Sequence, residues 1–400
     1  MNEKLIVKNF GPIKNAELDL KKVTIFIGPQ GSGKSSLAKL IAIFNNSQFL
    51  SDAYIGKSND DYFSKYQAQH FIKKESFVTY ENSNYKAIYN SGQLLDLTIL
   101  NLIINEEKKI SFVLNKLKDD LQRIKDFSSN NSDAERIVLY AFQNILNEDI
   151  RKLTSKVKYI PTDRLLISSI SDSLLGLLRA EVALQKSTIE FGADFEISRQ
   201  SSPTLLIDYL NITYKYENGR NLVFHNDTDS VPLSASASGF QSTIPVHLAV
   251  EHFSKEDNTY FIIEEPELNL FPTTQKSLVA YLADKCTTGN NELLITTHSP
   301  YVLSALNNLL FAYQVAKVLP EKANEIAQII PKEQWLNPED FAAYYVGEDE
   351  EGNIGGVRSI FNSKTGLIGE NELDSISEEL GDEFDALMNI YRTRKRETVN

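Results

Sequence analysis

The stretch Gly28-Pro-Gln-Gly-Ser-Gly-Lys34-Ser35 carries the strongest structural signal in this sequence. It follows an apolar run from Val23 to Ile27 and precedes a run from Ser36 to Phe44 in which apolar residues recur with helical spacing. A strand, a glycine loop and a helix in this order form a phosphate-binding P-loop. Glycines let consecutive backbone N–H groups approach phosphate oxygens, and the positive end of the following helix also attracts anions. The stretch therefore predicts a nucleotide site, and its context disfavours a chance glycine turn.

Two residues at the end of the loop have separate predicted roles. Lys34 is expected to reach the β- and γ-phosphates, and the Ser35 hydroxyl is expected to ligate Mg²⁺. The sequence thus predicts ATP and Mg²⁺ as ligands. The nucleotide contacts predicted in this region are Gly28, Pro29, Gln30, Gly31, Ser32, Gly33, Lys34, Ser35 and Ser36.

Composition limits the classes of protein that this chain can represent. Its 400 residues, 42% hydrophobic and 24% charged, are enough for a large buried core. No apolar run reaches the roughly 18 residues that span a bilayer, and the segment from Met1 to Val7 lacks the pattern of a signal peptide. The single cysteine, Cys286, cannot support a disulfide framework, and the histidines show no zinc-binding spacing. We therefore expect a cytoplasmic protein without membrane contact.

The net charge of −13 bears on the choice of partners. Proteins that coat nucleic acid present a basic surface, so this charge favours protein partners. Two alternatives stay open: a local basic groove that binds nucleic acid, and a charge that serves solubility alone.

The N-terminal segment resembles a known family. Residues 4–20 predict two strands around a turn at Gly11-Pro12, and the phrase VKNFGPIKNAELDL resembles the start of ABC-type ATPase heads of the SMC, RecF and OLD families. In those families a small hairpin sheet precedes the P-loop and flanks the nucleotide. The resemblance implies an α/β P-loop NTPase of ABC-ATPase type, with a mixed β-sheet core, an N-terminal antiparallel hairpin sheet and a helical lid insertion.

The region from 47 to 157 is predicted to be this insertion. Residues 77–89 suggest a hairpin, and from Leu94 to Leu153 the apolar spacing becomes helical. The segment is too short for a long coiled coil, so a compact helical lid is the better interpretation. The phrase from Val157 to Arg164 predicts a strand that ends in proline. Arg164 is interpreted either as a contact to nucleotide or to a facing subunit, or as a surface ion pair with Asp163 or another acid.

Residues 165–224 are predicted to lead back into the core. Helical spacing covers 165–186, and 197–202 is interpreted as a polar link. The strands expected at 205–216 and 222–224 are predicted to return to the core sheet.

The stretch Ser238-Gly239-Phe240-Gln241 precedes a predicted helix that runs to Phe253. It resembles the ABC signature motif, which in that family caps the γ-phosphate held on the P-loop of the opposite subunit. The resemblance implies nucleotide contacts from Ser238, Gly239 and Gln241. Phe240 replaces the second glycine of the commoner motif. The alternative is a serine-rich helix N-cap.

The stretch Tyr260-Phe-Ile-Ile-Glu264-Glu265-Pro-Glu267 is an apolar strand that ends in carboxylates. This is the Walker B arrangement, in which the first acid supports Mg²⁺ and the second polarises the attacking water. We assign Glu264, with Ser35, to the metal and Glu265 to catalysis as general base. Glu264 replaces the more common aspartate, as in the OLD-like group. A merely solvated strand end is the alternative.

The next apolar strand, from Glu292, ends in Thr-Thr-His298-Ser-Pro300. This phrase resembles the switch histidine of the OLD and SMC families, which senses the γ-phosphate. The predicted catalytic residues are thus Lys34, Glu265 and His298. The glutamine loop cannot be placed, because Gln67 and Gln69 are candidates by their order alone.

The remaining residues carry weaker patterns. They predict a helix at 301–310, a strand at 312–318 and a hairpin from strands 341–348 and 357–360. An amphipathic helix is expected at 373–392, with its apolar stripe packed on its own domain or facing a partner. Its basic end suggests a favourable helix terminus or, alternatively, a nucleic-acid contact.

The sequence thus predicts four regions: 1–46 and 158–310 as the halves of the ATPase head, 47–157 as the lid and 311–400 as a C-terminal extension. No Asp-x-Asp of the kind found in OLD-family TOPRIM nucleases follows His298. Free-standing ATPases of this kind resemble sensor subunits of bacterial anti-phage systems. The resemblance implies a homo-oligomeric, ATP-driven dimerising switch that controls a separate nuclease or toxin. The alternatives are a DNA-repair or DNA-clamp ATPase of RecF or SMC type and a scaffold that binds ATP with little turnover.

Overall fold

A computed structural model of the protein describes residues 3–54, 60–90, 93–99, 150–170, 184–226, 228–369 and 379–388. The chain begins with strands β1 (Glu3–Phe10) and β2 (Ile13–Leu20), which pair antiparallel around the Gly11-Pro12 turn as predicted. Strand β3 (Val23–Ile27) follows, and helix α1 (Lys34–Phe44) begins after the glycine loop. Alternate residues of β1 and β2 are buried, which is the pattern of a sheet with one face on the core.

The first sheet has five strands rather than a lone hairpin. After helices α2 (Ser47–Tyr54) and α3 (Asp60–Lys65), strands β4 (Ile72–Glu81), β5 (Tyr85–Asn90) and β6 (Gln93–Ile99) extend it in the order β2-β1-β4-β5-β6. The hairpin at 77–89 is confirmed. Outside that hairpin, the helical insertion predicted from 47 is wrong at 72–76 and 93–99, and the predicted helix start at Leu94 is wrong because pairing with β5 makes 94–99 a strand. The rest of the predicted lid, at 100–149, lies outside the described residues.

A second, six-stranded sheet holds the centre of the head. Its order is β15-β14-β3-β13-β12-β7, where β7 is Lys156–Ile160, β12 is Thr259–Glu264 and β13 is Glu292–Thr297. The edge strand β15 (Ile354–Ser359) is antiparallel to β14 (Phe341–Glu348), and the other five strands are parallel. Because β14 pairs with β3, the boundary predicted at 311 is wrong: the expected C-terminal hairpin completes the core sheet.

The strands that follow β7 do not join this sheet. Helix α4 (Arg164–Ile170) and helix α5 (Lys186–Ser201) precede a separate antiparallel sheet in the order β11-β10-β9-β8. This sheet contains β8 (Thr204–Ile207), β9 (Ile212–Glu217), β10 (Arg220–Phe224) and β11 (Ser230–Pro232). The predicted return to the core sheet at 205–224 is therefore wrong, as is the polar link at 197–202, which is helical through Ser201.

Three helices with buried faces cover one side of the central sheet. They are α6 (Ser238–Phe253), α7 (Pro272–Cys286) and α8 (Pro300–Val318). The strand predicted at 312–318 is wrong because α8 continues through it and buries Leu309, Leu310 and Ala312. Helix α9 (Ala323–Ile329) and the two-residue strands β16 (Phe361–Asn362) and β17 (Leu367–Ile368) follow.

Of the predicted tail helix, residues 379–388 are described and are helical. Leu380, Phe384 and Leu387 are exposed, so the apolar stripe does not pack on its own domain there.

Side chains alternate between two cores on the faces of the central sheet. Ile25, Ile263 and Ile295 pack toward the helices α6–α8, whereas Phe26 and Leu294 pack toward α1 and the five-stranded sheet. Strands buried on both faces show continuous apolar runs, which is why β3, β12 and β13 were recognisable in the sequence. No helix within the described ranges is both long and apolar enough to cross a membrane.

Candidate nucleotide site

The P-loop connects the carboxyl end of β3 to α1. A Cβ on Gly28, whose φ is +149°, would lie 2.1 Å from the carbonyl oxygen of Val346 on β14, so only glycine fits where the loop passes that strand. Residues Pro29, Gln30 and Gly31 are exposed, whereas Ser36 is buried in the first turn of α1. The hydroxyl of Ser32 is buried and has no hydrogen-bond partner among the described residues.

Helix α1 begins with Gly33 as its N-cap and has neither a side-chain cap nor an acidic residue in its first turn. Its positive end is therefore not neutralised by its own side chains. The Lys34 ammonium donates hydrogen bonds of 2.8 Å to the carbonyl oxygens of Gly28 and Pro29. Burial lowers the pKa of Lys34 to about 8, although the negative charges of Glu265, Glu267 and Glu264 oppose that shift.

Strand β12 carries Glu264 at its last position, where the side chain is buried. The Tyr159 hydroxyl, on the neighbouring strand β7, donates a 2.6 Å hydrogen bond to Glu264 Oε1. This contact fixes one oxygen of the carboxylate. Sequence reasoning had not singled out Tyr159, because its only signal is its place at the end of a strand.

Glu265 and His298 meet at the carboxyl ends of β12 and β13. The imidazole Nε2 of His298 lies 3.1 Å from Glu265 Oε1, and both side chains are partly exposed. Glu265 adopts a φ of +42°, a conformation that non-glycine residues rarely take. Its N–H donates to the Thr296 carbonyl oxygen at 2.8 Å, which ties the unusual backbone to β13. The two residues predicted to act on the attacking water are thus in contact.

Glu267 is a buried member of the same turn to which the sequence assigned no role. Its Oε1 accepts hydrogen bonds from the Thr297 hydroxyl at 2.6 Å and from the His298 N–H at 2.9 Å. Its Oε2 is buried without a partner among the described residues, and burial raises its pKa. The third acid of the phrase EEPE was a signal for this residue.

Arg164 is a completely buried clamp on the turn after β12, so both interpretations from sequence are wrong. It is neither a nucleotide contact nor a surface ion pair. Its guanidinium donates to the carbonyl oxygens of Glu264 at 2.8 Å, Glu265 at 2.5 Å, Ser242 at 3.0 Å and Pro161 at 3.1 Å. Burial lowers its pKa to about 10. The clamp ties the Walker B turn to helix α6, which begins with the predicted signature.

We expect Arg164→Leu to destabilise the fold by about 3–5 kcal/mol, because it leaves four carbonyl oxygens, three of them in buried hydrogen bonds, without their donor. Urea denaturation followed by circular dichroism measures this loss. Arg220 is exposed on β10, so Arg220→Leu serves as the control and should stay within about 0.5 kcal/mol. Equal midpoints for the two variants would contradict the clamp.

The predicted signature residues lie at the start of α6. Ser238 is exposed, and the N–H groups of Ser238 and Gly239 have no hydrogen-bond partner in the described part of the chain. The N-cap is Ala237 and makes no side-chain cap, so the alternative of a serine N-cap is wrong. A Cβ on Gly239 would lie 3.0 Å from the Asn269 carbonyl oxygen, so the loop after Walker B approaches this position closely.

The side chain of Gln241, another predicted nucleotide contact, makes hydrogen bonds to the turn that precedes α6. Its amide nitrogen donates to the carbonyl oxygens of Ser236 at 2.7 Å and Ser234 at 3.2 Å. The side chain thus holds the turn that leads into α6.

Gln69, a candidate for the glutamine loop, lies near the Gly11-Pro12 turn, because the carbonyl oxygen of the nearby Phe71 accepts the Gly11 N–H at 2.9 Å. No described contact joins Gln69 to the P-loop.

The side chains at this site are chemically suited to bind a nucleotide together with Mg²⁺. Three carboxylates, Glu264, Glu265 and Glu267, lie in one turn, and none has a lysine or arginine within salt-bridge distance among the described residues. Mg²⁺ prefers a few carboxylate or hydroxyl oxygens together with phosphates and water, which agrees with Ser35 and Glu264 as its protein ligands. The unpartnered Ser32 hydroxyl offers a further polar group to a phosphate.

Solved structures similar to this chain include heads of SMC proteins. One is an Smc head bound to the C-terminal winged-helix domain of ScpA, with 12% identity, 76% of this chain and 90% of that chain covered, and a TM-score of 0.38. Another is the SMC head domain from Thermotoga maritima, with 11% identity, coverages of 76% and 92%, and a TM-score of 0.35. A third, from Pyrococcus furiosus, is an Smc head with an extended coiled coil bound to the C-terminal domain of ScpA, with 13% identity, coverages of 94% and 98%, and a TM-score of 0.38.

A comparison with curated protein sequences gives no match. The profile of the AAA ATPase domain family matches residues 1–169 and 166–303. These ranges contain the P-loop, the start of α6, the Walker B turn and His298. The chain belongs to the AAA ATPase domain family.

Proposed function

We propose that this protein is a Mg²⁺-dependent ATPase that works as an ATP-driven dimerising switch and controls a separate effector protein, such as a nuclease or toxin. The observation that carries the proposal is the contact of 3.1 Å between Glu265 and His298, at the same edge of the sheet as the P-loop. A carboxylate and an imidazole in contact beside a phosphate-binding loop can orient and deprotonate a water molecule.

Each residue has a distinct role in the proposed reaction. The P-loop N–H groups and Lys34 bind the β- and γ-phosphates and neutralise their charge. Ser35 and Glu264 would hold Mg²⁺, which when bound supplies further positive charge to the phosphates. Glu265 accepts a proton from the attacking water, and His298 orients that carboxylate and the water.

The start of α6 supports the proposed dimer. Ser238 and Gly239 present free N–H groups on an exposed helix N-terminus, and α6 packs on α4, α5 and α7. Such a terminus binds anions, and we propose that it binds the γ-phosphate held by a second copy. ATP would then favour the closed dimer, and hydrolysis would open it. Control of a separate effector is proposed from the resemblance to the sensor ATPases of anti-phage systems.

The solution mass of Glu265→Gln, measured by light scattering with and without Mg-ATP, tests this switch. Glutamine keeps the size of the side chain but is a poor base, so ATP should stay bound and the mass should double. Adding Ser238→Arg should place a bulky side chain at the helix N-terminus and keep the protein monomeric with ATP. A mass that does not respond to ATP in either variant would contradict the switch.

A further inference from the structure

The turn after β12 holds His298 at two points. Glu265 contacts its imidazole, and Glu267, two residues later, accepts its backbone N–H. Pro266 stands between the two glutamates and fixes its own φ, which limits how far one can move relative to the other. The backbone N–H groups of Leu268 and Leu270 donate to the Glu265 and Glu267 carbonyl oxygens, both at 3.0 Å. One short, rigid turn thus touches both the ring and the backbone of the histidine.

The contacts of Glu267 extend along the strand end that carries His298. Its Oε1 accepts the Thr297 hydroxyl at 2.6 Å, and that same Thr297 oxygen accepts the Ser299 N–H at 3.0 Å. Ser299 in turn is the N-cap of α8 and accepts the Tyr301 N–H at 3.2 Å. One carboxylate oxygen therefore orders three consecutive residues, from the end of β13 to the start of α8.

Burying the Glu267 carboxylate is energetically unfavourable, which argues against a purely structural role. Glu267 is 9% exposed, and its Oε2 has no partner within the described residues. A buried carboxylate with one unpaired oxygen destabilises a fold, and an apolar residue would fill the same space at lower cost. The hydrogen bonds to the backbone of His298 and to Thr297 are what the carboxylate adds.

We propose that Glu267 is a positioning residue for ATP hydrolysis, which fixes the backbone of His298 so that the imidazole stays against the Glu265 carboxylate. This inference rests on the proposed function, since it assumes that Glu265 and His298 act on the attacking water. A displacement of about 1 Å in a reacting group can lower a rate by about 10²-fold. Loss of this anchor should therefore slow hydrolysis without weakening nucleotide binding.

The test combines Glu267→Ala with His298→Ala in a double-mutant cycle, with phosphate release as the measured rate and binding of a fluorescent ATP analogue as the second readout. In the wild-type background we expect Glu267→Ala to lower kcat by about 10- to 100-fold and to change affinity by less than about threefold. In the His298→Ala background the same change should lower kcat by less than about twofold, because the residue to be positioned is gone.

A conservative variant separates positioning from folding. Glu267→Gln keeps an amide oxygen that can accept both hydrogen bonds, so it should retain kcat within about threefold. Thr297→Val removes one of the two donors and should lower kcat by about 3- to 10-fold, again only when His298 is present. If Glu267→Ala does not fold, Thr297→Val in both backgrounds decides the question.

The outcomes also separate this inference from the function on which it rests. Equal losses with and without His298 would overturn the positioning role, because they would indicate a general structural effect. Unchanged kcat in Glu267→Ala would overturn it as well. Wild-type hydrolysis in His298→Ala would instead contradict the proposed mechanism itself.

Discussion

Glu265→Gln is expected to lower kcat for ATP hydrolysis by about 10²- to 10⁴-fold, the range that a positioned general base contributes. The structure places the carboxylate 3.1 Å from His298 Nε2 at the edge of the sheet that carries the P-loop. Glutamine keeps the length of the side chain and can still accept a hydrogen bond from His298, but it is a much weaker base. Binding groups on the P-loop are untouched, so ATP affinity should change by less than about threefold.

Steady-state phosphate release and binding of a fluorescent ATP analogue measure the two effects separately. The exposed Glu321, in the short turn that follows α8, allows a matched control: Glu321→Gln should leave both quantities unchanged. A variant that loses affinity as well as rate would place Glu265 among the binding groups. Retention of more than about a tenth of the wild-type kcat would contradict its role as general base.

The sequence predicted those parts of the site that a local pattern specifies. Strands β3 and β12 are short, mostly apolar and fully buried, and functional residues lie at or directly after their ends, so their type and their ends could be located from the chain alone. Because parallel strands place their carboxyl ends at one edge, the convergence of the P-loop, Glu265 and His298 follows from these patterns. The family match agrees with that interpretation.

Pairings between distant residues were not predictable in the same way. Strand β14 looked like part of an appendage, because nothing in residues 341–348 indicates that they pair with β3 more than 300 residues earlier. Arg164 was interpreted as a nucleotide or subunit contact or as a surface ion pair, because its actual partners are backbone carbonyl oxygens that any sequence provides. The proposed role of Glu267 likewise depends on the backbone N–H of His298, just after β13. Such contacts leave no residue-type signal on the partner side.

Two segments were assigned to the wrong type of element, because short apolar runs are compatible with both the helical period and the strand period. Residues 94–99 pair with β5 and are a strand, whereas 312–318 extend α8 and are helical. Over six or seven residues, propensity and apolar spacing are weak signals of secondary structure. The neighbouring part of the fold then decides between helix and strand: an open sheet edge in the first case and an apolar core in the second.

The second large effect is expected at Lys34, where Lys34→Met should weaken ATP binding by at least about 30-fold. Charge-assisted hydrogen bonds contribute about 1.5–3 kcal/mol each, and Lys34 supplies such bonds to the β- and γ-phosphates in the proposed site. Its ammonium donates to the Gly28 and Pro29 carbonyl oxygens, so it lies within the loop that would surround these phosphates. Methionine has a similar length and suits the buried surroundings, so the helix should remain folded.

A thermal shift on adding Mg-ATP measures this loss, because a ligand that binds the folded state raises its stability in proportion to RT ln(1 + [L]/Kd). The wild type should show a clear rise in Tm, and Lys34→Met should show none at the same ATP concentration. Lys39→Met changes a lysine of the same helix that is only partly buried, and it should keep the full shift. If Lys34→Met kept the wild-type shift, the P-loop would bind ATP without its lysine, and the role of Lys34 in neutralising the phosphate charge would be contradicted.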